Sequence, residues 1–213
     1  MIMRRRLNFW KPVVVLVTSA ACTVLVLSRD CQAQSTTVDA RTDTVALARQ
    51  LGSVDPKVRR AAAESLARLA AVDQRKVVEG YRLQEKDKKV RLALDWALYR
   101  MGKSEALFQL VHELDSSRHK QAVSYLSQVD SPSLLYVFLK NEDNQPPVTV
   151  GLLESLSRIG DEETLEQIKP FRKSFYPGVA EAAEMATEQI ENRLAQNDNL
   201  LPSRPRTIEK TTP

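Results

Sequence analysis

Cysteine is nearly missing from this chain: there are two, Cys22 and Cys31, and both precede residue 34. Everything after them can form no disulfide, carries no thiol nucleophile and offers no thiolate to a metal. Histidine is as scarce, with His112 and His119 alone. One histidine beside one Glu113 does not make a metal-ligand pattern, so no metal site and no cofactor is expected. Glycine is also rare, at six residues, and none sits in a phosphate-cradling loop or a Gly-x-Ser-x-Gly elbow. No catalytic residue can be assigned on this basis, and the chain is not expected to be an enzyme.

What is abundant favours helix. Ala, Leu, Glu, Arg and Gln lose little rotamer freedom in a helix. Small residues cluster at Ala61, Ala62, Ala63, Ala67, Ala70 and Ala71, where neighbouring helices can approach closely. The net charge of +4 comes from 31 basic and 27 acidic residues, of which five and one lie in the first 33 positions. The rest carries 26 of each, so the basic character belongs to the leader and not to the body. That argues against nucleic acid as a partner. Within the body, residues 36–110 hold 15 basic and 10 acidic side chains, whereas 111–200 hold 8 and 15.

The first 33 residues have the organisation of a signal peptide. Arg4, Arg5, Arg6 and Lys11 precede an uncharged run from Pro12 to Ser28, and Cys31-Gln32-Ala33 supplies small residues at the cleavage positions. Export to the periplasm or the exterior follows. Two other fates of the segment stay open. The run of 17 uncharged residues could be retained as a membrane anchor. Ser19-Ala20-Ala21-Cys22 could be read as a lipobox, although Val24-Leu25-Val26-Leu27 beyond the cysteine fits that poorly. Residues 34–40 read as a linker, and 197–213, with three prolines and few apolar residues, as a disordered tail.

Between them the chain repeats itself. Val58, Ala62, Leu66 and Leu69 share one helical face, and Val90, Leu94, Leu98 and Met101 occupy the same offsets. Weaker copies follow: Ala122, Leu126 and Val129; Val148, Leu152, Leu156 and Ile159; Val179, Ala183 and Ile190, with Thr187 where a large apolar residue is expected. The anchors fall at 58, 90, 118, 148 and 179, and partner helices are predicted over 43–52, 74–85, 103–114, 131–140 and 161–174. A period near thirty suits one helical hairpin per repeat. Gly102 and Gly160 are expected in left-handed conformations at helix ends. Asp161-Glu162-Glu163 sits where a helix starts, which a helix dipole explains without chemistry.

The string Asp55-x-x-Val58-Arg59-x-x-Ala62-Ala63-x-x-Leu66 resembles the second-helix signature of HEAT repeats, of the short type also found in phycobilin-lyase-like proteins. Val90-Arg91-x-x-Leu94 matches it less fully, and the third and fourth copies lack the Val-Arg pair. The resemblance implies an all-α fold, a right-handed α-solenoid of about five hairpins over 41–196. It also implies a protein-interaction scaffold that binds its partner on a concave face.

Arg59, Arg60, Arg91, Trp96 and Tyr99 are the candidate partner contacts, with Trp96 and Tyr99 equally readable as core. Arg59, Arg60, Arg75, Lys76, Lys86, Lys88, Lys89 and Arg91 crowd the first two repeats. They form either a solvated face with ion pairs inside the solenoid or a site for an anionic partner: an acidic protein segment, a phospholipid surface or a cell-wall polymer. A lyase- or hydrolase-type enzyme and a membrane-anchored spacer are the competing functions.

Overall fold

The helices that begin at Pro56, Lys88 and Glu162 each start where an aspartate side chain satisfies free amides. Asp55 stands in extended backbone ahead of Pro56, and its carboxylate accepts from the Lys57 amide at 2.8 Å. Asp87 accepts from the Lys89 and Val90 amides. Asp161 and Thr164 form a reciprocal capping box, so this acidic cluster opens a helix as expected. Pro56 and Pro146 each occupy a first helical position, where the missing N–H costs nothing.

A computed structural model describes residues 43–200 of the chain, with side chains through 196. The expected leader, linker and cysteines lie outside the described residues, as does most of the tail. Those described form no β-strand. They form α1 (43–50), α2 (Pro56–Arg68), α3 (Arg75–Gln84), α4 (Lys88–Arg100), α5 (Ala106–His112), α6 (His119–Leu126), α7 (Ser133–Leu139), α8 (Pro146–Ile159), α9 (Glu162–Ile168) and α10 (Pro177–Leu200). The fold is all-α. Helix α10 runs past 197, where the tail was expected to begin. No described helix is long and apolar enough to cross a membrane.

Even-numbered helices pack on one another in chain order, α2 on α4, α4 on α6, α6 on α8 and α8 on α10. The odd-numbered ones lie against them: α3 and α5 on α4, α7 on α8, α9 on α10. Alanine makes the first of these contacts close. Ala62, Ala63, Leu66 and Ala67 of α2 are all buried, as are Leu94, Ala97 and Leu98 of α4 and Leu152, Leu153 and Leu156 of α8.

Two expected core positions are not core. Val58 is 39% and Leu69 54% exposed, whereas their counterparts Val90 and Met101 are buried. Val90 and Met101 stand near the ends of α4, which packs against α2, α3 and α5, whereas Val58 and Leu69 stand near the ends of α2, which packs against α4. Thr187, the apolar gap in the fifth copy, satisfies itself by donating its hydroxyl to the Ala183 carbonyl at 2.8 Å.

Helix ends differ from expectation in one respect. Gly102 is left-handed, at φ +90°, but Gly160 is not, at φ −62°. Glycine is needed at 160 for room: a Cβ there would stand 2.6 Å from the Leu156 carbonyl oxygen. The left-handed residue after α2 is Ala70, at φ +45°. Past the end of α8, Arg193 of α10 donates to the carbonyls of Ser157, at 2.7 Å, and Gly160.

Candidate functional site

Three consecutive even-numbered helices enclose a groove of about 370 Å³. Glu64, Ala67 and Arg68 come from α2, Trp96 and Arg100 from α4, and Ser124, Tyr125 and Gln128 from α6. Ala67, fully buried, contributes a small side chain where the groove lies over α2. Trp96 is only 5% exposed; its ring stacks with Tyr125 and with Tyr99, each at a centroid distance of 5.6 Å. The Arg100 guanidinium lies 5.7 Å from the Trp96 ring centroid, a cation–π arrangement.

A polar network ties the walls together. Tyr125 donates its hydroxyl to Glu64 Oε1 at 2.7 Å and accepts from Gln121 Nε2 at 2.8 Å. Gln121 donates also to the Lys89 carbonyl, which anchors α6 to the start of α4. Burial and the Glu64 carboxylate push the Tyr125 phenol well above its ordinary range. Glu64 Oε1 stands 3.6 Å from Arg60 Nε, too long for a hydrogen bond, and that buried Nε has no partner.

A second groove, of about 200 Å³, opens between α8 and α10 and is lined by Val150, Glu154, Ser157, Glu181, Met185 and Gln189, among others. Its lining follows the register of the first. Glu64, Trp96, Ser124, Glu154 and Met185 each stand six residues after the anchors, and all five line one groove or the other. Arg68, Arg100, Gln128 and Gln189 share the position ten residues after. Equivalent positions of successive helices therefore line both.

The five candidate residues divide unevenly. Trp96 lines the first groove from a buried position and Tyr99 flanks it. Arg60 sits at its edge through Glu64. Arg59 is committed elsewhere: it makes a two-pronged bond to Glu85 at 2.8 and 2.9 Å and donates to the carbonyls of Ser53 and Val54. That bond, with the backbone donors around Glu85 outweighing its burial, holds the Glu85 carboxyl below its usual range. Arg91 is exposed, and its register position, shared with Arg59, lines neither groove. Glu64, Arg68, Arg100, Ser124, Tyr125 and Gln128 were not among the candidates. The six- and ten-residue offsets from the anchors would have found most of them.

Other clusters are structural in their geometry. His119 bridges the Leu114 carbonyl, at 2.7 Å, and Glu154, at 3.0 Å, joining α6 to α8. His112 is exposed. Among the described residues no three His, Cys, Asp or Glu side chains are grouped to hold a metal. On another side of α4 a cavity of about 350 Å³ contains Asp95, paired with Arg82 at 2.9 Å, and the Glu79–Lys103 pair at 3.0 Å. Burial raises the Asp95 carboxyl despite Arg82.

Comparison with known proteins adds little. No protein-family description matches the chain, and no curated protein does. Among solved structures, the crystal structure of an engineered protein from the Northeast Structural Genomics Consortium aligns with 76% of this chain and 84% of its own. The identity is 21% and the TM-score 0.36. A likeness that weak carries no functional argument.

Proposed function

We propose that residues 41–196 form a right-handed α-solenoid of five HEAT-like hairpins and serve as an exported protein-interaction scaffold. The partner, a polypeptide, lies on the grooved face of the even-numbered helices. One observation carries this reading: equivalent register positions of α2, α4, α6, α8 and α10 line both grooves. A repeating helix series presents one continuous surface in that way. The alternating helix order and the chain-order packing support the same architecture. Of the original five contacts, Arg60, Trp96 and Tyr99 remain in this reading, joined by Arg68, Arg100, Ser124 and Gln128. Arg59 leaves it as a structural clamp, and Arg91 because its register position lines neither groove.

A photo-reactive amino acid placed at Ser124 or Gln128 tests the surface in the living cell envelope. Val137, which is 74% exposed on α7, serves as the reference position. Cross-links to a polypeptide from the groove positions and not from 137 are expected. Cross-links confined to 137 would overturn the reading. N-terminal sequencing of the exported chain separates a cleaved leader from a retained anchor.

A further inference from the structure

Arg68 is a cation the fold does not use. It is exposed, makes a single long hydrogen bond to Ser65 Oγ at 3.4 Å, and enters no ion pair among the described residues. Arg100 is held by Trp96, but its counter-ion Asp130 is 77% exposed, and such pairs contribute little. Arg60 stands at the rim with one donor unpartnered. The groove lining itself holds two guanidiniums, Arg68 and Arg100, and one carboxylate, Glu64, which Tyr125 already engages. The groove carries an excess of positive charge.

The kind of cation matters. A guanidinium presents a planar fork that fits a carboxylate with two parallel hydrogen bonds, and it keeps its charge at any pH the protein meets. Ser124 and Gln128 add groups that both donate and accept, which suits a peptide backbone. Glu64 within the lining disfavours a dense phosphate polymer. The α8–α10 groove has the opposite sign, with Glu154 and Glu181 and no cation in its lining. The two ends of the grooved face therefore select different charges.

We propose that the groove on α2, α4 and α6 binds an acidic segment of a polypeptide partner, its carboxylates clamped by Arg68 and Arg100 above Trp96. This rests on the reading of the grooved face as a protein-binding surface. Charge complementarity orients the segment, with its carboxylates over α2–α6 and away from α8–α10.

Fluorescence anisotropy of the full chain with three labelled peptides tests it: an alternating Glu-Ala peptide and its Gln-Ala and Lys-Ala counterparts. The Glu-Ala peptide should bind at least about tenfold more tightly than the Gln-Ala peptide at low salt, and the gap should narrow as salt rises. Arg68→Gln with Arg100→Gln should remove the gap; a thermal melt by circular dichroism checks that the pair of changes leaves the fold intact, and Arg68→Gln alone, at an exposed site, should narrow it.

Equal binding of all three peptides overturns the acidic assignment. If Gln128→Trp, which fills the groove, still abolishes that binding, the surface reading survives without the charge preference. If no peptide binds, or if Gln128→Trp has no effect, both fall. Displacement of the Glu-Ala peptide by phosphatidylglycerol vesicles at lower concentration than by unlabelled peptide would assign the groove to lipid and overturn the proposal.

Discussion

Tyr125 reaches over α4 to place its hydroxyl 2.7 Å from Glu64 Oε1, joining residues 61 apart in sequence. Helices α2 and α6 both pack on α4, and this bond spans the intervening helix to link them directly. It joins two walls of the first groove, beside the stacked rings of Trp96 and Tyr125.

Tyr125→Phe should therefore destabilise the fold by about 1–2 kcal/mol, the net value of a hydrogen bond to a partly exposed carboxylate. The pH dependence carries a signature. The Tyr125 phenol is raised in the folded state, first by burial and then by Glu64. A raised group stabilises below its unfolded value, about 10, and loses that contribution as pH climbs further. The stability gap between wild type and variant, read by urea titration, should be constant from neutral pH to about 9 and shrink above about 10.

Arg59→Met should cost more, about 2–4 kcal/mol, because it strands the Glu85 carboxylate, whose side chain is 7% exposed. Here the sign reverses. Glu85 is lowered in the folded state, mainly by Arg59, so its contribution exists above the unfolded value of about 4.3 and fades as pH falls below it. Denaturant titrations at pH 7 and pH 3 should show a large gap at the first and a small one at the second. Arg59→Lys should restore only part, since an ammonium cannot reproduce the fork. Peptide binding in the groove should be untouched in both variants.

Ala70→Gly should stabilise. Ala70 holds a left-handed backbone, φ +45°, at the position that glycine occupies after α4, where Gly102 has φ +90°. Relieving the Cβ clash should contribute about 0.5–1 kcal/mol, and Gly102→Ala should cost about 1–2 kcal/mol. A thermal melt of the two variants reads both directions.

Gly151→Ala tests packing against propensity. Alanine is favoured over glycine inside a helix by about 1 kcal/mol. A Cβ at 151 would lie 2.6 Å from Leu114 Cδ2 and 2.9 Å from His119 Cε1, and Leu114 is itself fully buried. Overpacking should prevail, with a net loss of about 1–2 kcal/mol in a denaturant melt.

Helix positions were legible because their causes are local. Asp55-Pro56 and Asp161 announce starts, and the thirty-residue rhythm announces pairs, so every predicted partner helix overlaps an odd-numbered helix within a few residues. Exposure of Val58 and Leu69 was not legible, since it depends on which neighbour covers an edge and not on the residue itself. Trp96 could be singled out as an aromatic, but its stacking needs Tyr125, which belongs to the copy with the weakest repeat pattern. Arg59 looked identical to Arg60 in sequence. Only the fold brings Glu85, 26 residues later, against one and not the other.

Arg193 sets a limit on how far the chain can be shortened. Its two donated bonds finish the carbonyl end of α8, so the fifth turn of α10 belongs to the folding unit of a helix that ended more than thirty residues earlier. A fragment stopping at Ile190 would keep the buried side chains of α10 yet leave those oxygens to water, and its last two helices would fray together.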